Sequence, residues 1–158
     1  MDGLALARAF HVLAVIVWIG GVFMVTTVLL PAVRRGDFGS DRLEAFRAVE
    51  RRFVWWARGA VILAGGTGFW MVAEAGLWRR FRMAEFWWMH AMVLVWLLFA
   101  FILFVGEPLI LHARFEHLAR RAPAAAFARL HLVHWILLGL SLVTILGAVA
   151  GSHGWTFR

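Results

Sequence analysis

Cysteine and lysine are both absent from this chain of 158 residues. Without cysteine the protein cannot form a disulfide, attach a c-type haem, ligate an iron–sulfur cluster or build a thiolate metal site. The chain also lacks the G-x-S-x-G turn of serine hydrolases, a phosphate-binding loop, the H-E-x-x-H motif of metalloproteases and paired carboxylates. Its apolar runs hold so few polar groups that a transporter for polar solutes is disfavoured as well.

The chain is rich in apolar sequence. Hydrophobic residues make up 63% of it and its mean hydropathy is +0.81, whereas a soluble domain is about half apolar. A membrane-spanning helix needs roughly 20 residues. Three uncharged runs are long enough, and the run 59–73 becomes so if Arg58 reaches the interface with its guanidinium. The sequence therefore predicts an integral membrane protein with four spans, at about 4–32, 54–77, 84–112 and 127–150.

These spans predict one all-α domain over residues 1–158, an antiparallel up-down-up-down four-helix bundle. The first apolar run is too long for a cleaved signal peptide, so we expect it to remain as the first span. Before the second span, apolar residues at helical spacing alternate with arginines, which predicts a cytoplasmic amphipathic extension leading into that span. Within the second span, small residues recur at four-residue steps and predict close helix packing, at Ala60, Ala64 and Gly68.

All 16 basic residues are arginine. Most lie in the loops after the first and third spans, which predicts that these loops are cytoplasmic and that both termini are periplasmic in a bacterial inner membrane. A net charge of +7 in a soluble protein would suggest nucleic acid. Because these arginines flank apolar spans, we expect the lipid bilayer as the partner and no nucleic acid.

Five histidines lie in or at the edges of the predicted spans. A titratable side chain in a bilayer is costly and therefore indicates a function. Since alternate spans run in opposite directions, the histidines sort by depth into two groups. The outer group is His11 with His90, and the inner group is His112, His131 and His134.

The predicted faces of these helices refine the two groups. On the first span His11 shares a stripe with Trp18 and small residues, which predicts an inward face with room for a flat macrocycle. On the third span His90 and His112 share one face with Leu94 and Phe101, because 22 residues bring the helix to within about 40° of its starting angle. On the fourth span His134 aligns with polar residues and His131 lies beside it, so both are predicted to face the interior, near Ser141 and Thr144.

Paired histidines on facing helices can hold a haem in a membrane. The sequence thus predicts haem b ligated by His11 and His90. A second haem ligated by His112 with His134, or with His131, is the further expectation, and a count of one or two haems stays open. Such a protein would transfer electrons, in exchange with quinone or with a redox partner protein, as a monomer or a homo-oligomer. Whether it is also an enzyme stays open.

Several alternatives compete with haem. Intramembrane histidines also serve as structural hydrogen-bonding groups between helices. His11, His90 and His153 together with methionines would suit copper. Glu107, at the inner edge of the third span, is predicted to be a proton relay or an arginine partner. His117 and His153 are otherwise expected to be solvated.

The stretch RAFHVLAVIVWIGGVFMVTTVLLPAVRR, residues 8–35, resembles the opening of proteins in the CopD-like superfamily, with a His–aliphatic–W–x–G–G pattern. The stretch ERRFVWWARGAVILAGGTGFWM, residues 50–71, is similar to their second-helix entry. The resemblance covers most of the chain and rests mainly on His11, Trp18, Gly20, Gly21 and Gly68.

That resemblance implies two further functions. CopD-type proteins are linked to copper uptake or resistance. The related HemJ-type protoporphyrinogen oxidases are small four-helix proteins that bind haem b through a first-helix histidine, a position that His11 matches. The HemJ type also uses a lysine, and this chain has none. The resemblance therefore supports His11 as a haem ligand and leaves electron transfer, copper transport and haem synthesis as alternatives.

Overall fold

A computed structural model describes residues 3–39 and 42–155, with the side chains of 108–114 and 116 outside the description. Every regular element in these ranges is helical, so the predicted all-α class is confirmed. The elements are α1 (Gly3–Met24), a first π segment (Val25–Leu29), α2 (Leu30–Arg35), α3 (Arg42–Glu74), 3₁₀ turns (Leu77–Arg82 and Ala84–Phe86), α4 (Trp87–Phe101), a second π segment (Ile102–Leu111), α5 (His112–Arg121) and α6 (Pro123–Ser152).

Three helical stretches are long and apolar enough to cross a membrane, which is compatible with an integral membrane protein. They are Gly3–Arg35, Ala84–Glu107 and Pro123–Ser152. The predicted second span lies in α3, which is not among the three. Its uncharged stretch is confined between Arg58 and Glu74, whereas the first half of this continuous helix is rich in arginine.

The helices α1 and α3 form the most extensive pair in the fold. Near the start of α1, the ring of His11 packs against Gly68, and near its end Gly21 faces the ring of Phe53. Ala60 and Ala64 are buried in this interface, so the predicted packing role of the small residues is confirmed. Small side chains let the two backbones approach, and a Cβ added at Gly21 would collide with the ring of Phe53.

Tryptophan rings join α4 to its two neighbours. The indole of Trp96 lies on Gly65 of α3, and its Nε1 donates to the Val61 carbonyl at 2.8 Å. At the other side, Trp87 and Trp88 pack against the glycines of α6, Gly147 and Gly151. Between α1 and α4, the rings of Trp18 and Phe99 contact edge to face at 4.9 Å.

Each π segment is associated with a proline: the first ends two residues before Pro31, and the second contains Pro108. A π-helical turn pairs the amide of one residue with the carbonyl five positions earlier, as the Leu30 amide does with Val25. The next amide in this register would belong to Pro31, which has none. The sequence predicts continuous helices over 4–32 and 84–112 with a bend at Pro108. The structure instead accommodates Pro108 within the second π segment, and α4 proper begins at Trp87 after two 3₁₀ turns.

Candidate functional site

His11 is half-buried on the inward face of α1 and is tied to α3. Its Nδ1 lies 2.9 Å from the Ala64 carbonyl and 3.2 Å from the Thr67 hydroxyl. Because a carbonyl oxygen can only accept, Nδ1 carries the proton of the neutral ring and Nε2 carries the lone pair. A hydrogen bond of this kind fixes the tautomer and orientation of histidines that ligate metals.

The surroundings of His11 include two further features. A Cβ at Gly68 would lie 3.2 Å from His11 Cε1, so glycine makes room for the imidazole. Two turns further along the same face, Trp18 is 5% exposed, and its indole N–H has no hydrogen-bond partner within the described part of the chain. Buried donors are nearly always paired. The His11 stripe therefore faces the interior, as predicted, and carries one unsatisfied donor.

His90 lies on a different face from the one needed to meet His11. Its ring is exposed and packs edge to face on Phe81, and its Nε2 donates to the Phe81 carbonyl at 2.9 Å. Leu94 and Phe101, predicted to share its face, are 65% and 59% exposed. This face of α4 points away from the bundle. No hydrogen bond or ring contact joins His11 to His90 in the described structure, and their pairing through a haem stays a prediction.

His134 resembles His11 in its hydrogen bonding. It is half-buried on the face of α6 that carries buried Ser141 and Thr144, which confirms its predicted inward orientation. Its Nδ1 donates to the Leu130 carbonyl of its own helix at 2.9 Å. The lone pair of the neutral ring is therefore on Nε2. His134 has the tautomer of a candidate ligand, but it lies near the opposite end of the bundle from His11.

His131 has both ring nitrogens occupied. Arg34 donates to Nδ1 at 2.7 Å, and because guanidinium cannot accept, the proton of the neutral ring is on Nε2. That Nε2 donates to the Thr26 carbonyl at 2.9 Å. Thr26 lies five residues before Pro31, so its carbonyl is the one that proline leaves without an amide. His131 is therefore a structural link between α6 and the first π segment.

The remaining histidines form no cluster. The side chain of His112 lies outside the described residues, so its predicted role stays a prediction. His117 and His153 are exposed, as expected for solvated side chains. In the part of the chain that the structure describes, no three histidine or acidic side chains come together as a metal site. The set of His11, His90 and His153 considered for copper is thus not brought together.

Glu107 pairs with an arginine, as one of its two predicted roles required. Its carboxylate accepts from Arg58 Nη2 at 2.8 Å. Arg58 also donates from Nε and Nη2 to the Leu103 carbonyl, at 3.0 and 2.9 Å. Leu103 lies five residues before Pro108, so here too a polar side chain occupies the carbonyl that a proline leaves open. Sequence reasoning missed this role of Arg58, although a proline near a span end was a usable signal.

A cleft of about 160 Å³ opens beside this ion pair. The cleft lies between α3 and the second π segment. The guanidinium carbon of Arg58, which lines it, is 5.3 Å from the centroid of the Trp55 ring. The residues that line it are Glu50, Arg51, Val54, Trp55, Arg58 and Glu107. The site thus combines donors, acceptors and an aromatic wall.

Comparison with known proteins adds no relative. No protein-family model matches the chain, and no curated protein or solved structure matches it.

Proposed function

We propose that the chain is a four-span protein of the bacterial inner membrane, an antiparallel up-down-up-down bundle with both termini in the periplasm. The contacts of α3 support a crossing by this helix. It meets α1 from His11 at one end to Gly21 at the other, a distance of about 15 Å along the helix axis. This packing extends over about half of the roughly 30 Å hydrocarbon core, which supports a crossing by α3. The arginines of its first half then form the cytoplasmic extension.

We further propose that the protein binds haem b through His11 and transfers electrons. The observation that carries this proposal is the hydrogen bond from His11 Nδ1 to the Ala64 carbonyl, which directs the Nε2 lone pair away from α3. Haem b supplies one-electron transfer when bound. The residues of this chain contribute the ligand, its orientation through Ala64 and Thr67, and space at Gly68.

The second ligand of the outer haem is proposed to be His90, and an inner haem would have ligands of its own. His90 lies near the depth of His11 in the predicted topology, and its Nε2 can serve as a ligand only after the ring turns inward and releases the Phe81 carbonyl. His134 presents Nε2 at the other end of the bundle and would serve a separate inner haem with His112. His131 is not proposed as a ligand, because Arg34 and Thr26 occupy both of its nitrogens.

The test is an optical spectrum of the purified protein, oxidised and dithionite-reduced, with metal analysis of the same sample. We expect a b-type spectrum whose outer-haem contribution is lost in His11→Ala and kept in His153→Ala, a matched change at an exposed histidine. Retention in His90→Ala would leave His11 as the only assigned ligand of the outer haem. Stoichiometric copper without porphyrin would replace the proposal by copper transport, and turnover of protoporphyrinogen would replace it by haem synthesis.

A further inference from the structure

The cleft beside Arg58 and Glu107 is large enough for one small ring. Its volume is about 160 Å³, and an apolar cavity of about 150 Å³ holds one benzene molecule. The indole of Trp55 and the aliphatic side chain of Val54 supply the apolar part of its lining.

The charges of the cleft indicate a neutral occupant. Two arginines, Arg51 and Arg58, are balanced by two carboxylates, Glu50 and Glu107. A phosphate would gain the arginines but would meet both carboxylates at close range, so an anionic lipid headgroup is disfavoured. A neutral ring with oxygen substituents suits the same groups: its carbonyl oxygens accept from guanidinium, and its hydroxyl groups donate to carboxylate.

The position of the cleft indicates that the occupant arrives through lipid. The apolar surface around it is outward-facing, with Trp55 72% exposed and Phe104 of the second π segment 42% exposed. Arg58 is the last charged residue before the uncharged stretch of α3, so in the proposed topology the cleft lies at the cytoplasmic interface. Aromatic and arginine side chains are favoured at that depth.

We infer that this cleft binds the head of a lipid-soluble benzoquinone or its quinol, with the ring against Trp55 and its oxygens in contact with the Arg58–Glu107 pair. The inference rests on the proposed membrane placement and redox function and names the electron-exchange partner. It concerns binding alone. The Leu103 carbonyl accepts two hydrogen bonds from Arg58 and so holds its guanidinium beside the cleft independently of any ligand.

The test uses the purified full-length protein in lipid nanodiscs with a photoreactive azido-benzoquinone carrying an alkyl tail. We expect labelling in residues 50–58 or 104–107, competed by decylubiquinone. Trp55→Ala should raise the decylubiquinone concentration needed for competition about tenfold, since an aromatic contact is lost. Trp56→Ala is the matched control, because Trp56 is 71% exposed but does not line the cleft, and it should change nothing.

Three results would overturn the inference: labelling spread evenly over the spans, equal effects of the two tryptophan changes, or displacement by an anionic phospholipid but not by decylubiquinone. The optical spectrum of the same samples separates the two proposals. Haem without specific labelling removes the quinone site alone. Specific labelling without haem supports the cleft and removes the haem-based function.

Discussion

The guanidinium of Arg58 donates twice to the carbonyl oxygen of Leu103, at 3.0 and 2.9 Å. Pro108 lies five residues after Leu103 and has no amide to offer in the π-helical register. The imidazole of His131 likewise donates a hydrogen bond to the Thr26 carbonyl, which lies five residues before Pro31. An unpaired carbonyl in a membrane costs several kcal/mol by order of magnitude. Each proline is therefore tolerated because a side chain from another helix replaces the missing donor.

Replacing Arg58 by methionine should destabilise the protein by about 2–4 kcal/mol, because it leaves the Leu103 carbonyl and the Glu107 carboxylate without their donor. Pro108→Ala should reduce that cost by about 1 kcal/mol, since an alanine amide can serve Leu103. Free energies of unfolding from SDS titration of the two single variants and the double variant measure this coupling. Strictly additive effects would mean that Pro108 does not create the need for Arg58.

Replacing His131 by alanine should cost about 1–3 kcal/mol, because Thr26 loses its donor and Arg34 loses its acceptor. His131→Gln should recover part of this loss, since an amide offers both a donor and an acceptor. Thermal unfolding in detergent provides the measurement, with exposed His117→Ala as the control. If His131→Ala unfolded like His117→Ala, the link between α6 and the first π segment would contribute nothing.

Two adjacent glycines of α3 should respond differently to alanine. A Cβ at Gly65 would lie 2.5 Å from the Trp96 ring, whereas one at Gly66 would meet nothing within 4 Å. Gly65→Ala should displace Trp96 from Val61 and cost about 1–3 kcal/mol, while Gly66→Ala should be neutral or stabilising by up to about 1 kcal/mol. Unfolding by SDS titration measures the stability of both variants. Equal changes in the free energy of unfolding would mean that the contact between α3 and α4 does not depend on Gly65.

The number of spans decides on which sides the termini lie. Four spans put both termini on one side of the membrane, whereas three put them on opposite sides. Because the chain has no cysteine, single cysteines at Gly3, Trp78, Arg120 and Ser152 can be labelled without background. With a membrane-impermeant maleimide on intact cells, we expect labelling at all positions except Arg120. If the maleimide labelled the Gly3→Cys variant but not the Ser152→Cys variant, α3 would not cross the membrane.

The inward face of α1 could be predicted because Trp18 and small residues mark it, and the packing of α3 because Ala60 and Ala64 recur at four-residue steps. The outward orientation of His90 could not be predicted from the sequence. Residues 86–106 are apolar on all sides, so no polar stripe distinguishes lipid from the interior. In addition, each residue of a π segment turns the helix by a different angle from the 100° of an α-helix. The shared face predicted for His90 and His112 assumed 100° per residue across Ile102–Leu111, where this angle does not apply.

The role of His131 was open for a related reason. Its position on the inward side of α6 was predictable, but ligand and structural histidines share that position. The distinction depends on Thr26 and Arg34, which are distant in sequence. Proline in a span predicts an unpaired carbonyl nearby, yet the sequence does not show which side chain satisfies it.

The most direct test of the account is haem binding by His11→Gly with and without imidazole. The histidine side chain is removed while the backbone at Ala64 and the neighbouring Gly68 remain, so free imidazole can occupy the vacated space. We predict that His11→Gly loses the reduced b-type absorption bands of the outer haem and regains them when imidazole is added, whereas His134→Gly keeps them. Full haem content in His11→Gly without imidazole would contradict the assignment of His11 as the ligand.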